Sequence, residues 1–188
     1  MKHRELIEKI SPKELKKTVY LSQLLFLFIG IGLAFVFFDR IEAFTSLFIF
    51  DLEEIFYYGV LLAFVLIIIE LILYNAIDQK HFDDGGINEK LFRNQSVGSI
   101  FFIALTVAIC EELLFRGVIQ TTFGYLFASS LFVVLHTRYL KKPVLLGLLI
   151  VTSFLIGFIF EVTSNLLVTI TFHFVVDFVL GLYIKFSK

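Results

Sequence analysis

The sequence holds a single cysteine, Cys110, which excludes an internal disulfide framework and a cysteine-based metal centre. Period-two alternation is missing, and the apolar runs are continuous, which argues against a membrane barrel and for helices. No small-x-small cleavage site follows the first apolar run, which is longer than a signal-peptide core, so no cleavable signal is expected. Repeats, low-complexity tracts and a second domain are also lacking. The net charge of -1 says little by itself, because its distribution carries the information. What remains is apolar bulk: 59% of the 188 residues are hydrophobic. Several runs reach the roughly 20 helical residues needed to cross a hydrocarbon core. The expectation is an all-α polytopic membrane protein, with about six transmembrane helices forming a bundle around a polar intramembrane pocket.

The chain divides into a basic N-terminal segment (1–17), a transmembrane pair with its polar loop (18–95) and a C-terminal set of helices (96–188) within one membrane domain. Ser11-Pro12-Lys13-Glu14 reads as a capping box with proline at the first helical position, so a helix starts there and runs on into the membrane. Spans are expected at about 18–38 and 56–77. Gly30 and Gly32 in the first fit close helix contact and a neutral flexible spot equally well. The acidic loop between the two spans encloses an apolar stretch, 44–50, too short to cross and suited to the interface. Asp83-Asp84-Gly85-Gly86 marks a turn in the hydrophilic segment 78–96. Further helices are expected from 96–99 to a break at 121–124, and over 125–136, 144–160 and 165–186.

Orientation follows from basic residues. With the N-terminus in the cytoplasm, Lys2, Arg4, Lys9, Lys13, Lys16 and Lys17 lie inside, as do Lys80, Lys90, Arg93, Arg138, Lys141, Lys142, Lys185 and Lys188. Only Arg40 falls in an outer loop. The positive-inside rule therefore places both termini in the cytoplasm.

Against this apolar background stand a few ionisable groups, which are costly at membrane depth and suggest a functional site. Cys110-Glu111-Glu112-Leu113-Leu114-Phe115-Arg116-Gly117 is the densest cluster. Glu112 and Arg116 are four apart and can pair on one helix face. Glu111 points about 100° away from Glu112 at roughly 3.6 residues per turn, so it stays outside that pair. Phe132 and His136 share a face of another helix, and His173 and Asp177 a face of the last, where the carboxylate can orient the imidazole. Counted from the breaks near residues 123 and 165, Glu111, His136 and His173 reach similar depth on antiparallel helices, and so converge on one pocket. Each also has a structural reading as a packing link or clamp, and Cys110 reads as a small packing residue. Glu70, in the middle of the second span, fits a paired structural carboxylate or a partner that balances Arg116.

Three motifs, Glu111-Glu112-Leu-Leu-Phe-Arg116, Phe132-Val-Val-Leu-His136 and His173-Phe-Val-Val-Asp177, resemble in order and spacing those of the CAAX prenyl protease and bacteriocin-processing family (CPBP, also called Abi). Members of that family are intramembrane glutamic endopeptidases. The likeness covers roughly 96–186. It implies a metal-independent, cofactor-free peptidase in which Glu111 is general base on a water that His173 holds. His136 and the residue at 177 would stabilise the oxyanion, with Glu112, Arg116 and Phe132 in support. Family members carry asparagine or aspartate at the last position. Ionised aspartate cannot donate to an oxyanion, so Asp177 is read as orienting His173.

Other readings of the same residues remain. Glu111, His136, His173 and Asp177 could bind zinc in a metalloprotease, although HExxH is absent. A bacteriocin-immunity or scaffolding protein would use the polar groups for packing, and a proton-coupled transporter would use buried Glu and His. The expected partners are membrane lipid and a peptide or small membrane-protein substrate, with no nucleic acid. Small size and short loops suit a bacterial plasma membrane. A membrane-associated precursor, such as a bacteriocin or signalling peptide, fits better there than a prenylated CAAX protein.

Overall fold

Ser11 starts the first helix as its sequence predicts. Its hydroxyl accepts from the Glu14 backbone N–H at 3.2 Å, and Glu14 accepts from the Ser11 N–H at 2.8 Å. In the computed structural model, which describes residues 10–187, that helix runs unbroken over Pro12–Phe37 (α1). Residues 1–9, with Lys2, Arg4 and Lys9 of the basic segment, and Lys188 lie outside the described residues. There follow α2 (Ile41–Thr45), α3 (Leu52–Ala76), α4 (Ile87–Phe92), α5 (Val97–Phe123), α6 (Tyr125–Leu135), α7 (Pro143–Thr163) and α8 (Leu166–Phe186). Among the described residues there is no strand.

Five of these helices (α1, α3, α5, α7 and α8) are long and apolar enough to cross a membrane. The remaining expected span, α6, has 11 residues. At about 1.5 Å per residue it rises about 16 Å, roughly half of a hydrocarbon core. The chain returns from it to α7 through the short 3₁₀ turn Thr137–Tyr139. Irregular backbone at this depth is tolerable where it borders a cavity, as Arg138 and Tyr139 do here. The hydrophilic segment 78–96 contains α4, a helix the sequence reading leaves as loop. Asp84 caps it by accepting from the N–H groups of Ile87 and Asn88. Gly85 and Gly86 both take positive φ, 89° and 80°, in the turn that Asp83-Asp84-Gly85-Gly86 signals.

Packing divides in two. Ala63, Leu66 and Ile67 of α3 meet Ile156 and Ile159 of α7 and Val168, Phe172 and Val176 of α8. Leu114, Phe115 and Ile119 of α5 meet Ala128 and Phe132 of α6. α5 is the most enclosed span, and most of α1 faces outward. Gly30 of α1 seats against Leu114, whereas Gly32 approaches nothing. The apolar stretch 44–50 is tied down at the turn before α8. Asn165 donates to the Ile49 carbonyl at 2.8 Å and to Glu54 at 3.2 Å, and accepts from the Ile49 N–H at 3.3 Å.

Candidate active site

The acidic cluster sits at a change of helical winding. α5 is α-helical to Glu112 and π-helical over Leu113–Gln120. Such wide turns are uncommon and occur often at functional sites. From Leu114 to Gln120 every residue is buried, so this stretch is enclosed on all faces.

The two glutamates part company as their rotation predicts. Glu112 and Arg116 are both 0% exposed, with Nε to Oε2 at 3.4 Å, an ion pair that lacks hydrogen-bond alignment. The guanidinium finds its hydrogen bonds elsewhere. Nη1 donates to Gln120 (3.4 Å) and the Ser129 hydroxyl (3.3 Å), and Nη2 to the Ser153 carbonyl (3.1 Å). Gln120 in turn donates to the Gly157 carbonyl and to Glu161, both at 2.8 Å. Arg116 thus fastens α5 to α6 and α7, and its Cζ lies 5.6 Å from the centre of the Phe132 ring. The balancing role considered for Glu70 does not arise. Glu70 lies instead beside Thr152 and within electrostatic reach of Asp177, where it borders the cavity.

Glu111 turns to that cavity, a space of about 760 Å³ also bordered by Phe132, His136, His173 and Asp177. The count from the helix breaks, at Gly124 and Ser164, therefore brings the expected groups together. Glu111 is only 5% exposed, and its Oε1 accepts from Gln23 Nε2 of α1 at 2.9 Å. Gln23 was not among the residues expected in the site. The available signal was a lone amide within an apolar span.

His173 stands between two carboxylates. Its Nδ1 is 2.9 Å from Glu112 Oε1, and its Nε2 is 3.6 Å from Asp177 Oδ2. Glu112 therefore makes the short bond to this ring, and Asp177 flanks its other edge. With Glu112 ionised beside Arg116, Nδ1 must carry a proton. His136 closes α6, with Nδ1 2.8 Å from the Phe132 carbonyl. A carbonyl only accepts, so Nδ1 is the donor and Nε2 is left for the cavity. The Phe132 ring lies 4.4 Å from that of His136 and 6.3 Å from that of His173, separating the two imidazoles.

At its other end the cavity is bordered by the segment 78–96, by Arg138 and Tyr139, and by the last turn of α8. Arg138 donates to the Tyr139 hydroxyl at 2.6 Å, and Asn88 donates to the same oxygen at 3.3 Å. Cys110 is buried packing. Among the described residues no group of three or more His, Cys, Asp and Glu side chains is arranged to hold a metal ion. The polar geometry suits proton transfer at Glu111 and hydrogen bonding by the two imidazoles.

Residues 93–179 match the family described as type II CAAX prenyl endopeptidase Rce1-like. Among curated proteins, the chain is 37% identical over 167 residues to the uncharacterized protein YpbD of Bacillus subtilis (strain 168), covering 89% of this chain and 88% of that relative. No solved structure matches the chain significantly.

Proposed function

The chain belongs to the Rce1-like family of type II CAAX prenyl endopeptidases, and on that premise we propose that it is an intramembrane glutamic endopeptidase. The observation that carries the reading is the division between the two adjacent glutamates. Glu112 is fixed between Arg116 and His173, while Glu111 borders the cavity and, among the described residues, has an amide alone as its hydrogen-bond partner.

In this mechanism Glu111 takes a proton from a water as the water oxygen attacks the scissile carbonyl carbon. The carbonyl π electrons move to oxygen. His136 meets that oxyanion through Nε2–H, which requires the imidazolium form because Nδ1–H is already committed to the Phe132 carbonyl. His173, held by Glu112, orients the water, and Asp177 keeps a proton on the facing ring edge. When the carbon–nitrogen bond breaks, Glu111 returns its proton to the leaving amine.

The substrate is a membrane-associated peptide or small protein precursor, and the protein is a plasma-membrane protein with both termini in the cytoplasm. One end of the cavity is bordered by the segment 78–96 and by Arg138 and Tyr139, the side that the positive-inside rule assigns to the cytoplasm, so in that orientation substrate enters from the cytoplasmic side. The test is cleavage of a library of precursor peptides by purified protein in detergent, with and without a chelator. Cleavage that survives the chelator supports the reading. Cleavage that stops, and returns with zinc, contradicts it.

A further inference from the structure

α1 has little to bury. Gln23 and Gly30 are its fully buried residues, and Phe26 and Leu33 are partly buried against the cluster of Leu114, Phe115 and Phe132. Yet Gln23 is only 4% exposed, borders the cavity and donates to Glu111 at 2.9 Å, while its Oε1 finds no donor among the described residues. An amide withdrawn from water without partners is costly, so its placement calls for a reason beyond packing. We propose that Gln23 is a positioning residue that holds Glu111 in both of its protonation states through the catalytic cycle. This inference rests on the endopeptidase reading.

The chemistry of the partner is what singles it out. A general base must be a carboxylate before attack and a carboxylic acid after it. A lysine or arginine in this place would hold the carboxylate and oppose the acid, and a second carboxyl would do the reverse. An amide serves both. Its N–H donates to the carboxylate, as in the geometry here. After the proton arrives, half a turn of the amide puts Oε1 where it accepts from the Glu111 O–H. No charge is created or lost at Gln23, so neither state of Glu111 is trapped. Phe26 adds rigidity one turn further along α1, where its ring packs edge-on against Phe115 at 6.0 Å.

The contrasting account is that Gln23 only links α1 to α5. The experiment is infrared spectroscopy of the purified protein in detergent across pH, with the Glu111 bands identified by their loss in Glu111→Gln. It is run alongside peptide cleavage for wild type, Gln23→Met and Gln23→Asn. Methionine keeps the length and suits an apolar helix, and asparagine keeps the amide but withdraws it. In Gln23→Met both the carboxylate and the carboxylic acid bands of Glu111 should shift, the acid C=O stretch to higher frequency. kcat should fall about 10- to 100-fold with KM within about threefold and the thermal midpoint little changed. Gln23→Asn should lie on the same side as methionine. Glu111 bands that stay put in both variants overturn the inference, whatever the protein cleaves. Unmoved bands with a lowered midpoint assign Gln23 to helix packing alone. Glu111→Gln cleaving like wild type, with the bands shifted as expected, overturns Glu111 as the general base but leaves the hydrogen-bond assignment standing.

Discussion

Glu112 Oε1 and His173 Nδ1 meet at 2.9 Å between α5 and α8, while the other oxygen of Glu112 lies 3.4 Å from Arg116 Nε. One fully buried carboxylate therefore serves two cations or near-cations on different helices. Removing it would leave Arg116 charged and enclosed, which is the expensive case for a buried pair. Glu112→Leu is expected to cost about 3–5 kcal/mol of stability. Adding Arg116→Met should recover most of that loss, since a well-packed apolar pair replaces an ionic one. Thermal and denaturant unfolding in detergent of the two single variants and the double variant checks this. Additive losses would show that the pair is not coupled.

Asp177 flanks the ring that Glu112 holds, at 3.6 Å, so His173 should keep its orientation without it. Asp177→Asn is expected to retain cleavage within about tenfold of wild type, while His173→Ala loses at least about 100-fold. Comparing kcat/KM for the two variants on one peptide decides it. A loss in Asp177→Asn as deep as in His173→Ala would give Asp177 a direct part in the chemistry.

α6 packs tightly on α7 at Gly157. A Cβ there would lie 2.5 Å from the Ser129 hydroxyl and 2.8 Å from the Tyr125 ring. Gly157→Ala must push apart the helices that carry Ser129 and Ser153 to Arg116. The expected cost is about 1–3 kcal/mol, read from the shift in the unfolding midpoint. Gly32→Ala on α1, where the added methyl meets nothing, should leave the midpoint unchanged and serves as the control.

Much of this site was legible before any coordinates, because charge inside an apolar helix has few places to go. The four-residue spacing pairs Glu112 with Arg116 and turns Glu111 aside, and counting from the helix breaks places His136 and His173 at the same depth. Other features left no such trace. The winding change at Leu113 has no local sequence signal. Ser129 and Ser153 bind Arg116, yet small hydroxyl residues in apolar helices fit ordinary close packing equally well. Gln23 lies in the half of the chain that carries no motif, and its partner is 88 residues away. Glu70 was readable as an anomaly, but only the three-dimensional arrangement shows that it faces the cavity and Asp177 rather than Arg116.

The measurement that bears most directly on the central claim compares wild type with Glu111→Gln on the same peptide, with unfolding midpoints recorded in parallel. The substitution keeps size and hydrogen bonding and removes only the ability to accept the proton of water. Cleavage should fall by at least about 100-fold, the scale of a lost general base, with the midpoint unchanged. Equal rates in the two proteins would contradict the account and leave Glu111 a structural carboxylate rather than the general base.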